Sequence, residues 1–159
     1  MPEGKTWKRL HNDPEGMKYQ RLTELVYYSS MFNRYITIPA GRKSDGATGA
    51  RDLGVKESGW RGVWAKFVQN ILKSYGNVET EAWWVHDELC LTGAWDDGTK
   101  ISNFICSTVV AVELQKDGYT KEAIYWWFAT FLFGGGKARN NGLLWIKKKD
   151  SNEQAKSYR

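Results

Sequence analysis

The hydrophobic pattern of the chain changes its period once, near Gly59, and this change limits the possible folds more than any other feature. Before it, β-branched and aromatic residues form two short runs separated by a turn signal at Asn33-Arg34, which is typical of a β-hairpin. After it, apolar residues recur every three or four positions, which is typical of amphipathic helices. We therefore predict an α+β fold in which an N-terminal β-hairpin or small antiparallel sheet packs against three or four helices.

Apolar spacing and capping residues predict four helices in the second part of the chain. The first has the most regular apolar stripe, and the fourth is apolar on two sides, so we expect the fourth to lie centrally or to face a partner. The predicted helices cover residues 63–75, 78–91, 100–116 and 120–133. Asn77, Thr99 and Thr120 are the expected N-caps of the last three. A triple glycine at 134–136 is expected to act as a C-cap and hinge, and 143–146 as a short strand.

One domain is the expected organisation, because 159 residues correspond to about one domain. Residues 1–17 are polar and rich in turn residues, so we expect an irregular arm there, followed by a single α+β domain over residues 18–146. Residues 147–159 form a basic, polar tail. No apolar run is long enough to span a membrane, and the polar start of the chain predicts no signal peptide. Two cysteines without paired spacing argue against a disulfide framework and favour a reducing compartment.

Histidine is scarce, which narrows the search for a catalytic or metal site. With only His11 and His86, a zinc site made of several imidazoles is excluded unless the N-terminal arm contributes one. Asp87 follows His86 directly, and Asp45 lies in a loop of small residues after a predicted strand. Together these three offer two carboxylates and one imidazole, which suit a general base oriented by an acid or a sparse site for one divalent metal ion. The alternatives are a buried His86 bonded to a carboxylate and an Asx-turn at Asp45.

His86 and Cys90 are also one helical turn apart, an arrangement that occurs by chance but can bind a metal. No serine nucleophile motif, phosphate-binding glycine loop or dinucleotide fingerprint is visible in the sequence. The sequence therefore offers one candidate site around His86.

Aromatic residues are unusually abundant, with nine Trp, eight Tyr and six Phe. Trp83-Trp84 and Trp126-Trp127 are doublets inside predicted helices, where consecutive rings point about 100° apart. We expect one ring of each doublet to face a groove or a partner, since aromatic anchors dominate interface energetics. The alternative is a small core filled with large side chains. A net charge of +5 and the basic tail permit nucleic-acid binding without indicating it.

Three stretches of the chain, taken together, resemble the phage and prophage family catalogued as domain of unknown function 1353. The family pattern is a strand, Pro-Ala-Gly, Thr-Asp-x-Ala-Ser-x-Pro, then His-Asp-x-Leu and a final aromatic helix. Within a resemblance that covers residues 22–135, the matching stretches are 38–41 with 44–48, 86–89 and 131–135. Ser44, Thr48 and Ala50 replace the family's Thr, Ser and Pro, and an aspartate associated with the third helix falls at Asn103.

The resemblance implies a bacteriophage origin and carries no established activity. Because an amide is a poorer metal ligand than a carboxylate, Asn103 favours a non-enzymatic role. We therefore expect a virion or assembly component, associated with the tail or neck, that contacts other phage proteins or further copies of itself. The alternatives are a phage hydrolase, acting on cell-wall material or a phosphoester through Asp45, His86 and Asp87, and an inhibitor of host defence that acts by binding. The expected location is the virion or the host cytoplasm.

The structural and enzymatic hypotheses place the same residues differently. An enzyme would hold Asp45 and His86 within about 4–6 Å of each other in an open cleft. A structural protein would bury them with their polar atoms bonded and would expose an aromatic surface elsewhere.

Overall fold

The computed structural model describes residues 6–44, 59, 62, 63, 66 and 81–146. Over residues 6–44 and 81–146, five strands precede four helices. The strands are β1 (Trp7–Arg9), β2 (Tyr19–Arg21), β3 (Leu25–Ser29), β4 (Arg34–Ile38) and β5 (Lys43–Ser44). The helices are α1 (Ala82–Thr92), α2 (Asn103–Lys116), α3 (Thr120–Phe133) and α4 (Gly136–Asn141). Small antiparallel sheets followed by helices make an α+β fold, as the sequence predicts.

The predicted hairpin is formed by β3 and β4, which pair antiparallel along their whole length. Its turn includes Asn33, whose φ of 52° lies in the left-handed region that asparagine tolerates better than most residues. Tyr28 donates a hydrogen bond from its hydroxyl to Asn33 Oδ1 at 2.7 Å, which ties the turn to the strand. The alternation of side chains then directs Ile36 and Ile38 of β4 into the core.

A second sheet joins β1, β2 and β5 in that order, all antiparallel. Strand β1 corrects the prediction of an irregular arm over residues 1–17. Trp7 packs edge-on against Tyr19 of β2 with ring centroids 5.2 Å apart, and this aromatic contact accompanies the backbone pairing. The three residues Trp7–Arg9 are too few to show an alternating strand pattern in the sequence, and only their pairing with β2 identifies them as a strand.

The strand predicted at residues 143–146 is wrong. This segment instead lies against the start of α2, where Phe104 donates its backbone N–H to the carbonyl of Leu143 at 2.9 Å. The hydroxyl of Ser102 donates to the carbonyl of Leu144 at 3.1 Å. The first turn of a helix leaves backbone N–H groups without partners, and this segment satisfies one of them.

Two predicted helix ends need correction. Helix α2 begins at Asn103 rather than at residue 100, because the backbone of Ser102 is extended, with φ of −90° and ψ of 169°, and Lys100 forms an antiparallel bridge with Ala94. Ser102, not Thr99, therefore occupies the N-cap position. Helix α3 ends where the sequence predicts, but Thr120, the predicted N-cap, is its first helical residue, and Tyr119 occupies the N-cap position.

Part of the helical prediction falls outside the described residues. This applies to Asn77 with residues 78–80, and to most of the helix predicted over 63–75, of which Val63 and Lys66 are described and are helical. Helix α4 is an addition that the sequence did not predict, because it begins inside the triple glycine. Gly136 has φ of 78° there, and a Cβ at this position would overlap the backbone carbonyl of Cys90.

The core consists of two clusters, and α1 and α2 contribute to both. The first lies between the hairpin, α1, α2 and α4 and comprises Ile36, Ile38, Trp84, Val85, Leu89, Trp95, Ile101, Cys106, Val109 and Ala138. The second lies between α1, α2 and α3 and comprises Ala82, Trp83, Val110, Leu114, Ala123, Trp126 and Ala129. None of the helices in the described part of the chain is long and apolar enough to cross a membrane.

Candidate functional site

His86 lies on the inner face of α1, and only 8% of its surface is exposed. Its Nδ1 is 3.4 Å from Oδ1 of Asp87, and its Nε2 is 3.5 Å from Sγ of Cys90 one turn later. The other carboxylate oxygen of Asp87 accepts a hydrogen bond from the hydroxyl of Ser44 at the end of β5. Asp45, the third residue of the predicted group, lies outside the described residues. The predicted pair of His86 and Asp87 is therefore in contact, with the imidazole largely buried.

Cys106 completes the cluster from the neighbouring helix α2. Its Sγ is 3.1 Å from Sγ of Cys90 and 3.5 Å from the backbone carbonyl oxygen of His86. One ligand atom from each of His86, Cys90 and Cys106 lies within 4.8 Å of the other two. Sequence reasoning missed Cys106, because the 16 positions that separate the cysteines match no metal or disulfide spacing. Only the packing of α1 against α2 brings the two thiols together.

The cluster favours a charged pair. Burial works against a charged imidazole, but the negative charge of Cys90 and the hydrogen bond to Asp87 outweigh it and raise the pKa of His86. The hydrogen bond from Cys106 is the largest cause that lowers the pKa of Cys90, and the charge of His86 adds to it against the effect of burial. Burial raises the pKa of Cys106 well above its ordinary value. The arrangement therefore favours a thiolate at Cys90 beside an imidazolium, with a protonated thiol at Cys106.

An ion pair joins Glu88, the residue after Asp87 on α1, to Arg42, which directly precedes β5. Glu88 is almost fully buried, and Arg42 Nη2 donates to its Oε1 at 2.7 Å while Nε lies 2.5 Å from Oε2. Together with the Ser44 to Asp87 hydrogen bond, this pair docks residues 42–44 against residues 86–89. Ser44, the one described residue of the stretch 44–48, therefore contacts the His-Asp motif of α1.

Asn103 has a structural role that explains why it is an amide. It is fully buried at the start of α2, and its Nδ2 donates to the carbonyls of Thr130 at 3.2 Å and Phe131 at 2.7 Å. Both carbonyls belong to the last turn of α3, and that of Thr130 also accepts the backbone N–H of Gly134 at 2.7 Å. An aspartate could not donate these bonds, so the amide supports the end of α3.

The tryptophan doublets correct the interface prediction in part. Trp83, Trp84 and Trp126 are each about 95% buried, so three of the four predicted interface rings belong to the core. Trp83 and Trp84 point in different directions, as predicted, but each reaches a different core cluster instead of one reaching a partner. The alternative, a core filled with large side chains, holds for these three. Only Trp127 is partly exposed.

Trp127 belongs to an exposed apolar surface that we call the aromatic face. It consists of Phe104 on α2 and Ile124, Trp127, Phe128, Phe131 and Leu132 on α3. The ring of Trp127 stacks on Phe131 with centroids 5.0 Å apart and meets Phe104 edge-on at 5.7 Å. Its Nε1 donates to the hydroxyl of Thr108 at 3.2 Å, which fixes the ring. The exposed apolar residues Leu143 and Leu144 follow α4, and the backbone of Leu143 is bonded to that of Phe104.

No protein-family model, curated protein or solved structure matches the chain. The resemblance to the family catalogued as domain of unknown function 1353 therefore stays a prediction.

Proposed function

We propose that the protein is a bacteriophage virion or assembly component that acts through protein–protein contacts. The aromatic face carries this proposal. On α3, Ile124, Phe128 and Leu132 are four positions apart, so they form one stripe, and they are 54%, 52% and 39% exposed. Large contiguous apolar patches are rare on the surfaces of monomeric proteins, and those that occur commonly mark interaction sites.

The geometry of the aromatic face suits binding rather than loose exposure. Trp127 contacts Phe104, Phe128 and Phe131, and its indole N–H is already bonded, so the rings are held before a partner arrives. Rigid aromatic anchors bind with a small loss of side-chain entropy and are enriched among the residues that dominate interface energies. The proposed partners are other phage proteins or further copies of this chain.

The state of His86 supports the same proposal over hydrolysis. Its ring is buried, and both nitrogens face side chains of the same helix, Asp87 and Cys90, as expected for a group that stabilises the fold. A general base must reach the proton that it removes, directly or through one water molecule. A hydrolase acting through Asp45, His86 and Asp87 remains the alternative hypothesis, and it has less support from His86 and Asp87, the two described residues of that group.

The test is mass spectrometry of purified particles of the bacteriophage that encodes the chain. We expect the wild-type protein in the particles at a fixed copy number. The double variant Ile124→Asp, Phe128→Asp should fold but should be lost from the particles or arrest their assembly. Met31→Asp is the matched control, because Met31 is an equally exposed apolar residue, 58% exposed, in the hairpin turn.

Two results would contradict the proposal. One is the absence of the wild-type chain from particles and from assembly intermediates; if a host protein is then captured through the aromatic face, the protein is an inhibitor that acts by binding. The other is normal incorporation of the double variant at the copy number of the Met31→Asp control, which would show that the aromatic face is not the contact surface.

A further inference from the structure

We propose that His86, Cys90 and Cys106 form a binding site for one thiophilic metal ion, with zinc as the ion that fits best. The site is independent of the aromatic face, and the proposed role in the virion does not depend on it. It differs from the carboxylate-containing set that the sequence suggests, since two of its three ligands are sulfur atoms from different helices.

The ligand atoms are already spaced for a single ion. Zinc bonds of about 2.3 Å to sulfur and 2.0–2.1 Å to nitrogen place the ligand atoms of a tetrahedral site about 3.5–3.8 Å apart. Cys90 Sγ lies 3.5 Å from His86 Nε2 and 3.1 Å from Cys106 Sγ. The third separation is within 4.8 Å. Small side-chain rotations are therefore enough to bring all three atoms onto one ion.

The surroundings of His86 orient the ring for this role. Its Nδ1 faces the carboxylate of Asp87, which Ser44 holds in turn. When metal binding displaces the Nε2 proton, Nδ1 would keep its own and donate it to Asp87. Metal-bound histidines commonly donate their second ring N–H to a carboxylate in this way, and the carboxylate fixes the ring. Asp87 would thus act as a positioning residue and not as a ligand.

The backbone around Cys90 keeps the site compact. Gly136 lies so close to the carbonyl of Cys90 that a side chain could not be accommodated, which lets α4 cover this part of α1. Cys106 is fully buried and Cys90 is partly exposed, so an ion reaches the cluster from the Cys90 side. Within residues 6–44 and 81–146 the cluster provides three protein ligands, which leaves one tetrahedral position for water or another donor.

A disulfide between the two cysteines is the competing explanation of their proximity. It would need an oxidant and would leave the imidazole without a function in the cluster. The metal site uses all three side chains and requires only the loss of their protons on binding. A bound ion would join α1 to α2, so its expected effect is on the stability of the packed helices.

The test uses the full chain, reduced and stripped of metal without oxygen, and titrated with zinc chloride or cobalt chloride. We expect one zinc ion per chain by competition with a coloured chelator, and a higher midpoint of thermal unfolding. Cobalt should give the visible bands of tetrahedral coordination and the near-ultraviolet absorption of thiolate ligands. Cys90→Ser and Cys106→Ser should each lower zinc affinity at least 100-fold, while His11→Ala, the change at the only other histidine, should leave it unchanged.

Asp87→Asn keeps all three ligands and tests the positioning role. We expect zinc affinity about 10–100-fold lower with the stoichiometry unchanged. The cobalt spectrum of the wild-type protein decides the question even if a cysteine variant fails to fold. A reduced, folded wild-type chain that binds neither ion would overturn the proposal, and so would binding that survives loss of both cysteines. A chain that is recovered 2 Da lighter as a disulfide and binds no metal after reduction would replace the metal site with a redox pair.

Discussion

Two sides of α2 are built from opposite kinds of residue. Where α2 meets α1 it buries Cys106 beside the ionisable side chains of His86 and Cys90. At its solvent-facing edge, outside the core cluster that it shares with α3, Phe104 lies beside Trp127 of α3 and both rings are partly open to solvent. Buried polar groups are tolerated when each has a hydrogen-bond partner. A contiguous exposed apolar patch is unfavourable in water and commonly marks a surface that binds another molecule. The difference indicates that one side holds the fold together and the other is kept for contact.

The largest difference between the two sides is expected at the two neighbouring tryptophans of α3. Trp126 packs against Trp83 in the core with ring centroids 4.3 Å apart, whereas Trp127 belongs to the aromatic face. We expect Trp126→Ala to lower the free energy of unfolding by about 4 kcal/mol, because it leaves a large cavity. Trp127→Ala should cost about 1 kcal/mol, because the ring is partly exposed. Urea unfolding of both variants, followed by circular dichroism, measures the two values.

For incorporation into particles we expect the opposite order, with the larger loss in Trp127→Ala. At a temperature where both variants are folded, Trp127→Ala should abolish incorporation into particles and Trp126→Ala should retain it. Equal losses of stability in the two variants would mean that the division into a core side and a contact side is wrong.

The next largest effect is expected at the end of α3. Asn103→Asp replaces two donated hydrogen bonds with a carboxylate that faces the carbonyls of Thr130 and Phe131. We expect a loss of about 3 kcal/mol, since a buried charge would lie against acceptors of the same sign. Asn140→Asp, on the exposed side of α4, is the control and should change little. If Asn103→Asp instead bound a divalent ion without losing stability, the result would favour the hydrolase alternative, because the family pattern has an aspartate at this position.

The elements that could be predicted from the sequence are those with local signals. The hairpin and helices α2 and α3 were predictable, because turn residues and apolar periodicity are local signals. Strand β1 was not, because its three residues are recognisable as a strand only beside β2. The segment 143–146 has the composition of a strand, and its actual role, bonding the start of α2, depends on tertiary contacts.

The candidate site was predictable only in the part that is local in sequence. His86 with Asp87 and His86 with Cys90 are pairs within one helix, so their spacing is visible in the sequence. Cys106 joins them only through the packing of two helices, which no spacing rule contains. The tryptophan doublets show the same limit, since the sequence gives the angle between two rings but not whether a second core cluster lies where the other ring points.

The ion pair between Arg42 and Glu88 is expected to contribute more to the free energy of unfolding than an exposed ion pair does. Glu88→Gln removes the charge that Arg42 contacts through two nitrogen atoms. Breaking a buried pair costs about 3–5 kcal/mol, and we expect about 2 kcal/mol here because a third of the Arg42 side chain is exposed to solvent. Asp97→Asn removes the partner of Arg34 in an exposed pair and should leave the denaturation midpoint unchanged within error. Similar losses in the two variants would show that burial does not distinguish these pairs.

The smallest effect concerns the bond that ties the hairpin to α2, and it is a test of pH dependence. Tyr27 donates its hydroxyl to Oε1 of Glu113 at 2.6 Å, and burial, followed by this bond and the charge of Glu113, raises the pKa of Tyr27. Tyr27→Phe should cost about 1 kcal/mol at neutral pH, because the ring is half-buried and the bond reaches a carboxylate.

The sign of the pH effect follows from the direction of that shift. Because the folded-state pKa lies above the unfolded value of about 10, the contribution is complete below pH 10 and is lost as the pH rises beyond it. Wild-type stability should therefore fall between about pH 9.5 and 11 more steeply than that of Tyr27→Phe. Tyr28→Phe, which removes a neighbouring tyrosine hydroxyl of the same strand and leaves the bond to Glu113 intact, is the matched control. Parallel slopes for all three proteins would show that the hairpin is held to α2 by its apolar contacts alone.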